Sequence, residues 1–168
     1  MDQVSFTPPP SVLVGLVGVL VVYRLCIGPY RDRFASSAAV PPLRQAAFYS
    51  GLLTMLLALA TPLDTLADEY LFTAHMVQHL LLTLGAAPLL LVGTPGWLLR
   101  DLLRTTRLTG FVRWARQPLI AFFAFNTVFA LAHIPSLYEF ALGSEPLHAA
   151  EHLVFVGTAM LMWMPVLS

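Results

Sequence analysis

The stretch that decides the fold is residues 71–93, LFTAHMVQHLLLTLGAAPLLLVG. It contains no Asp, Glu, Lys or Arg, and as a helix it is long enough to cross a bilayer, whose ~30 Å hydrocarbon core takes ~20 residues. Two histidines, His75 and His79, interrupt its first half. Pro88 lies inside it near Gly85, and because an internal proline removes a helical hydrogen bond, we expect a kink there.

The composition of the whole chain agrees with a membrane protein. Of 168 residues, 58% are hydrophobic and 11% are charged, and the mean hydropathy is +0.76. Soluble domains carry about 25% charged residues, so this chain has too few charges to cover a globular surface. Nine arginines balance nine acids and lysine is absent, which excludes a basic nucleic-acid-binding protein. Cys26 is the single cysteine, which excludes an internal disulfide framework and a cysteine-based zinc site.

Four other segments are similar to residues 71–93 in length and hydrophobicity. The chain is therefore predicted to be one all-α domain, residues 1–168, that forms a polytopic membrane helix bundle of about five transmembrane helices. The predicted helices are residues 11–28, 46–63, 71–93, 118–134 and 147–167. The first is predicted to be a retained helix and not a signal peptide, because arginines follow it and none precedes it.

Arginine is concentrated in alternate connections between the predicted helices. The N-terminal tail has none, residues 30–44 have three, 64–70 have none, 94–117 have five and 136–146 have none. By the positive-inside rule, the two arginine-bearing connections are cytoplasmic and the N-terminus is outside. Within the second of them, residues 97–107 carry arginines at helical spacing opposite leucines, which predicts an interfacial amphipathic helix.

With this topology, all five histidines fall near the outer surface of the membrane. His75 and His79 lie four residues apart on one predicted helix, His148 and His152 lie four apart on another, and His133 ends the helix between them. Residues at i and i+4 share a helix face, so each pair directs two imidazoles to one place, as in helical metal sites. The alternative is that these are core histidines that form hydrogen bonds between helices.

The two pairs share the pattern His-x-x-[Gln/Glu]-His-Leu, with Gln78 in the first and Glu151 in the second. We expect a duplicated helix pair, whose pseudo-twofold axis along the membrane normal brings the two histidine pairs face to face. Gln78 and Glu151 are then candidate residues beside the site. Glu151 is a candidate extra ligand, a partner that orients an imidazole, or a proton acceptor.

Several chemistries fit these residues. Imidazole binds copper, zinc, iron and nickel, and a thioether favours Cu(I). Met76 is a candidate extra ligand of that kind, although it lies ~100° around the helix from His75 and needs a bend to reach the site. His148-x-x-Glu151-His152 also matches the H-x-x-E-H signature of zinc hydrolases. Histidines from two helices are used to hold a b-type haem.

Nothing else in the sequence indicates catalysis. The chain has no recognisable nucleophile–base pair and no Gly-rich phosphate loop, so we expect a protein that is not an enzyme. A haem- or quinone-binding membrane redox protein and an intramembrane zinc hydrolase remain as alternatives.

Four motifs carry a resemblance to a known family. They are Phe72-Thr-Ala-His75-Met-Val-Gln-His79-Leu-Leu-Leu, then Ala132-His133-Ile-Pro135 with Tyr138, then Leu147-His148-x-x-Glu151-His152, and finally Trp163-Met-Pro165-Val. Together they resemble the CtaG-type cytochrome c oxidase assembly factors associated with caa-type oxidases. Members typically have further helices after the Trp-x-Pro segment, so this chain is expected to be a short or truncated member.

The resemblance implies a membrane protein of oxidase maturation and copper handling. Its implied location is a bacterial-type plasma membrane, as a multi-pass protein with the metal site near the extracytoplasmic face. Its implied partners are the catalytic subunit of a terminal oxidase and an extracytoplasmic copper donor, besides the lipid bilayer. Copper is expected as Cu(I) rather than Cu(II), with zinc or haem as alternatives. The implied copper-handling residues are His75, His79, His133, His148 and His152.

Overall fold

The computed structural model describes residues 10–34 and 37–167. Within these ranges the chain is helical and contains no strand. The N-terminal tail, predicted to be outside, lies before the described residues. The main helices are, in chain order, α1 (Pro10–Ile27), α2 (Pro42–Leu59), α3 (Phe72–Gly93), α4 (Gly96–Thr105), α5 (Thr109–Ala115), α6 (Pro118–Ala132), α7 (Pro135–Leu142) and α8 (Glu145–Leu167).

Three helices are individually long and apolar enough to cross a membrane: Pro10–Ile27, Phe72–Gly93 and Pro146–Leu167. A fourth span is obtained if α5 and α6, which are bent by 86° at a short break, count as one. α6 alone has 15 residues and reaches only ~22 Å at 1.5 Å per residue. The predicted all-α membrane helix bundle is confirmed, with three to four such spans in the described chain against about five predicted.

Of the predicted helices, α2 is neither a candidate span by itself nor part of the bent pair. It begins at Pro42 and ends at Leu59, four residues earlier at each end than predicted. Proline is well suited to the first turn of a helix, since its missing N–H is not needed there. The early start brings Arg44 and Gln45 into the first turn, which lowers the hydropathy of the helix. The helix ends because Thr61 starts a new short helix, Pro62–Thr65, by accepting a hydrogen bond from the Leu63 N–H.

α3 lies at the centre of the bundle, between α2 and α8, and α8 also packs against α6. The contact between α2 and α3 is close because two glycines remove side chains from it. A Cβ at Gly93 would overlap the backbone of Phe48, and one at Gly51 would press on Leu90. Small residues at such contacts are typical of membrane helices. The helix pairs α2–α3 and α6–α8 meet through the contact between α3 and α8.

α1 is attached to this bundle near its C-terminal end. The ring of Tyr23 stacks on Phe48 at a centroid distance of 3.6 Å, and its hydroxyl donates to the Gly93 carbonyl over 3.0 Å. Arg24 Nη1 donates to the Tyr49 hydroxyl over 3.0 Å. The rest of α1 is mostly exposed, since only 6% of its apolar window is buried in the bundle.

The irregularity predicted at Pro88 takes the form of a π-helical segment. α3 is α-helical over Phe72–Leu80, π-helical over Leu81–Ala86 and α-helical again over Ala87–Gly93. A second π-helical turn, Leu66–Tyr70, leads into α3. Short π-helical turns are frequent at functional sites, and the turn Leu81–Ala86 follows the His75–His79 pair directly.

Outside the bundle core, α4 agrees with the amphipathic helix predicted over residues 97–107. α7 was not predicted, because its eight residues lie in a connection whose polar ends resemble a loop.

Candidate metal centre

The first half of α3 carries two fully buried histidines. His75 is 1% exposed and His79 is 0% exposed, and their ring centroids lie 4.2 Å apart. Their Nε2 atoms are separated by 2.7 Å. Two nitrogens bound at ~2.0 Å to one tetrahedral ion lie ~3.3 Å apart, so a small opening of this contact suffices for both to ligate the same ion. The i,i+4 spacing therefore produces the predicted convergence.

His133 is the third member of the group. It caps the C-terminal end of α6, and its Nδ1 lies 2.6 Å from the Phe129 carbonyl. A carbonyl can only accept, so Nδ1 carries the proton and Nε2 keeps its lone pair, the orientation usual for a metal-binding histidine. Nε2 is buried and makes no hydrogen bond within the described structure. One ligand atom of each of His75, His79 and His133 lies within 4.8 Å of the others.

The second predicted pair lies beside this group. His152 on α8 is buried, and its ring centroid lies 5.8 Å from that of His79. His148 lies beyond His152, in an edge-to-face contact with a centroid distance of 4.4 Å, and is only half-buried. The structure therefore joins the two pairs through His79 and His152, while His148 is one ring further from the three-histidine group.

The candidate residues beside the pairs differ in their partners. Gln78 is fully buried, and its amide donates to the Ala58 carbonyl over 3.0 Å and to Asp64 Oδ1 over 2.7 Å. These bonds fasten α3 to the end of α2, so Gln78 has a structural role there. Glu151, at the matching position, instead lies 3.5 Å from His148 Nδ1, and both side chains are 14% exposed.

Met76, the remaining candidate, is half-buried on α3, next in sequence to His75.

Two phenylalanines outside the four sequence motifs form the wall of the site. Phe155 is fully buried and its ring centroid lies 4.5 Å from that of His79, while Phe129 stacks on His133 at 4.4 Å. Helical spacing could have indicated that these rings lie beside the histidines, since Phe155 follows His152 by three residues and Phe129 precedes His133 by four. Apolar walls lower the local dielectric and strengthen every electrostatic interaction within them.

The chemistry of the group follows from its donors. It offers three imidazoles and, among the described residues, no convergent carboxylate or thiolate. Such an all-nitrogen set is suited to copper or zinc. Three ligands would leave one position open on a tetrahedral ion, within the apolar wall of Phe129 and Phe155.

Comparison with known proteins identifies the family of the chain. The family model for the cytochrome c oxidase caa3 assembly factors matches residues 21–168, which is most of the chain and includes every histidine. No curated protein and no solved structure gave a significant match.

Proposed function

The chain belongs to the cytochrome c oxidase caa3 assembly factor family, and we propose that it serves oxidase assembly as a membrane-embedded copper-binding protein. It would hold copper for, or deliver it to, the active site of the terminal oxidase. The observation that carries this proposal is that one ligand atom from each of His75, His79 and His133 lies within 4.8 Å of the other two, with His75 and His79 buried. Copper is here the cargo of the protein, and no catalytic role is proposed.

Burial favours Cu(I) over a divalent ion. Phe155 and Phe129 place apolar surface against the rings of His79 and His133, respectively. The free energy needed to bring an ion out of water grows with the square of its charge, so a divalent ion costs about four times as much as a monovalent one. With no carboxylate in the group to offset that cost, a singly charged ion is the better fit.

The second histidine pair supplies an approach to this group. His148 and Glu151 are the partly exposed members, His152 is buried next to them, and His79 follows at 5.8 Å. A cation attracted by the carboxylate of Glu151 can pass along these rings into the three-histidine group. The arginine distribution supports an extracytoplasmic position for this approach in a bacterial-type plasma membrane, and hence an extracytoplasmic copper donor.

The two alternative functions receive less support. A zinc hydrolase would use Glu151 beside a zinc-binding histidine pair on α8, whereas the convergent group lies on α3 and α6 and does not include Glu151. A haem needs a flat opening between its axial imidazoles, and the 2.7 Å contact between His75 and His79 leaves none between those two rings.

The test is anaerobic titration of the purified protein with Cu(I) against a chromogenic chelator, followed by X-ray absorption spectroscopy. One tightly bound Cu(I) with three nitrogen ligands is expected. The triple variant His75→Ala, His79→Ala, His133→Ala should lose it, while Asn126→Ala, which changes an exposed side chain of α6, should keep it. A wild-type protein that binds no copper, in cells whose oxidase copper content is unaffected by the triple variant, would refute the proposal.

A further inference from the structure

The π-helical turn Leu81–Ala86 leaves one backbone carbonyl of α3 without its usual donor. In an α-helix the Ala87 N–H would donate to Thr83, but here it donates to the Leu82 carbonyl. In a π-helix the next residue would donate to Thr83 instead, but that residue is Pro88, which has no N–H. The Thr83 carbonyl therefore has no donor from either helical pattern.

A tryptophan of α8 supplies the missing donor. The indole N–H of Trp163 donates to the Thr83 carbonyl over 3.0 Å, across 80 positions of sequence. A carbonyl left unsatisfied in this interior is unfavourable, so the bond selects the arrangement that presents it. Trp163 lies in one of the four sequence motifs, and its indole hydrogen bond is to Thr83 rather than to a histidine.

Thr83 continues the connection to the histidine cluster. Its hydroxyl donates to the carbonyl of His79 over 2.7 Å, and Thr83 is almost fully buried. The path from α8 to the site is therefore the Trp163 indole, the Thr83 peptide and side chain, and the backbone of His79. A shift of one residue between π and α register rotates a helix by ~100°, which is enough to turn His79 out of the group.

We propose that Trp163 is a positioning residue for the copper site, acting through Thr83 on the backbone of His79. This inference rests on the proposed copper-binding function for its effect on affinity. Its structural half, that the Trp163 bond holds the π-helical turn, is independent of any metal. The Thr83 carbonyl needs a donor from position 163. Phenylalanine there would fill similar space but would have no N–H to donate, whereas the indole of tryptophan has one.

The experiment compares Trp163→Phe and Thr83→Val with wild type by two measurements. Hydrogen–deuterium exchange of the metal-free protein should show about 10-fold faster exchange of the amides of Leu84 to Ala87 in Trp163→Phe and little change in Thr83→Val, which keeps the main-chain carbonyl that Trp163 binds. Cu(I) affinity, measured by chelator competition, should fall about 10-fold in both variants, at the low end of the 10–100-fold typical of outer-shell partners. Thr83→Ser, which keeps the hydroxyl bond to the His79 carbonyl, should keep the wild-type affinity.

The matched control is Trp114→Phe, which alters an exposed tryptophan of α5 and should change neither measurement. Unchanged exchange in Trp163→Phe would refute the proposal. Faster exchange with unchanged copper affinity would refute the positioning role, although the bond itself would stand. A wild type that binds no copper would refute the proposed function, and the exchange measurement would still decide whether Trp163 holds the turn. If Trp163→Phe does not fold, the double variant Pro88→Ala, Trp163→Phe decides the structural question, because residue 88 then carries an N–H for the Thr83 carbonyl. Restored folding would support the role of the Trp163 bond, and continued failure to fold would contradict it.

Discussion

The rings of His79 and His152 meet across α3 and α8, with their centroids 5.8 Å apart and their planes at 67°. His79 also contacts His75, at 4.2 Å, and His133, at 5.3 Å. It is therefore the residue through which the pair on α8 is joined to the convergent group on α3 and α6.

This central place predicts a ranking of histidine substitutions. His79→Ala should weaken Cu(I) binding by more than the ~10–100-fold typical of an outer-shell partner, because it removes a ligand and the contact with His152. His75→Ala and His133→Ala should follow, and His148→Ala should have the smallest effect on the equilibrium affinity. Chelator competition on the single variants gives the order. An effect of His148→Ala equal to that of His79→Ala would contradict the assignment of the inner group.

Exchanging the residue types at positions 78 and 151, which match in the two histidine motifs, should affect two different properties of the protein. Glu151→Gln keeps the shape of a partly exposed side chain, so copper binding should weaken about 10-fold and oxidase maturation should partly survive. Gln78→Glu places a second carboxylate against Asp64, where an amide now donates over 2.7 Å, and should destabilise the fold by ~3 kcal/mol.

Copper content, oxidase activity and thermal unfolding separate the two variants. Full copper occupancy with complete loss of function in Glu151→Gln would favour the hydrolase alternative. Normal stability of Gln78→Glu would show that the link between α3 and the end of α2 is unimportant.

The close contact between α2 and α3 predicts that Gly93→Ala is strongly destabilising. The added methyl group would overlap the Phe48 backbone, which cannot move without displacing α2. Overpacking of this kind costs about 1–3 kcal/mol or more, and the Tyr23 bond to the Gly93 carbonyl should weaken with it. Gly157→Ala on α8 is the matched control, because a Cβ there has no atom within 4 Å. Equal unfolding temperatures for the two variants would argue against this packing.

The topology can be checked with single cysteines in a Cys26→Ser background. Ser136 and Thr106 are both exposed and lie in connections without and with arginine, respectively. A membrane-impermeant maleimide added to whole cells should label Ser136→Cys and spare Thr106→Cys, since the positive-inside rule places residue 106 in the cytoplasm. Labelling at 106 but not at 136 would place the histidine cluster on the cytoplasmic side.

The sequence predicts the helices well where hydrophobicity and proline act locally. α1, α3, α6 and α8 lie within two residues of their predicted bounds, because each is an apolar run bounded by polar residues or proline. α2 begins earlier than predicted because its polar first turn is also helical. In that turn the Gln45 amide donates to the Val40 carbonyl. Three to four helices meet the length and hydropathy criterion for a span against about five predicted, because of this polar first turn and because α6 is shortened by the 86° bend that precedes it.

The candidate site was predictable as two pairs but not as a group of three. The i,i+4 spacing fixes which histidines share a face, and it correctly joins His75 to His79 and His148 to His152. Which pair receives His133 depends on how α6 packs, and no local pattern contains that information. The π-helical turn could not be predicted from local sequence either, because the tryptophan that donates to its Thr83 carbonyl lies 80 positions away on α8.

That turn also has an evolutionary consequence. Pro88 lacks the N–H that the π-helical pattern would use, and Trp163 supplies a donor in its place, so the two positions are linked through the Thr83 carbonyl although they lie on different helices. A descendant that replaced Pro88 with a residue carrying an N–H would regain an internal donor for Thr83 and would release Trp163 from selection. Among related chains, the loss of one should therefore accompany the loss of the other.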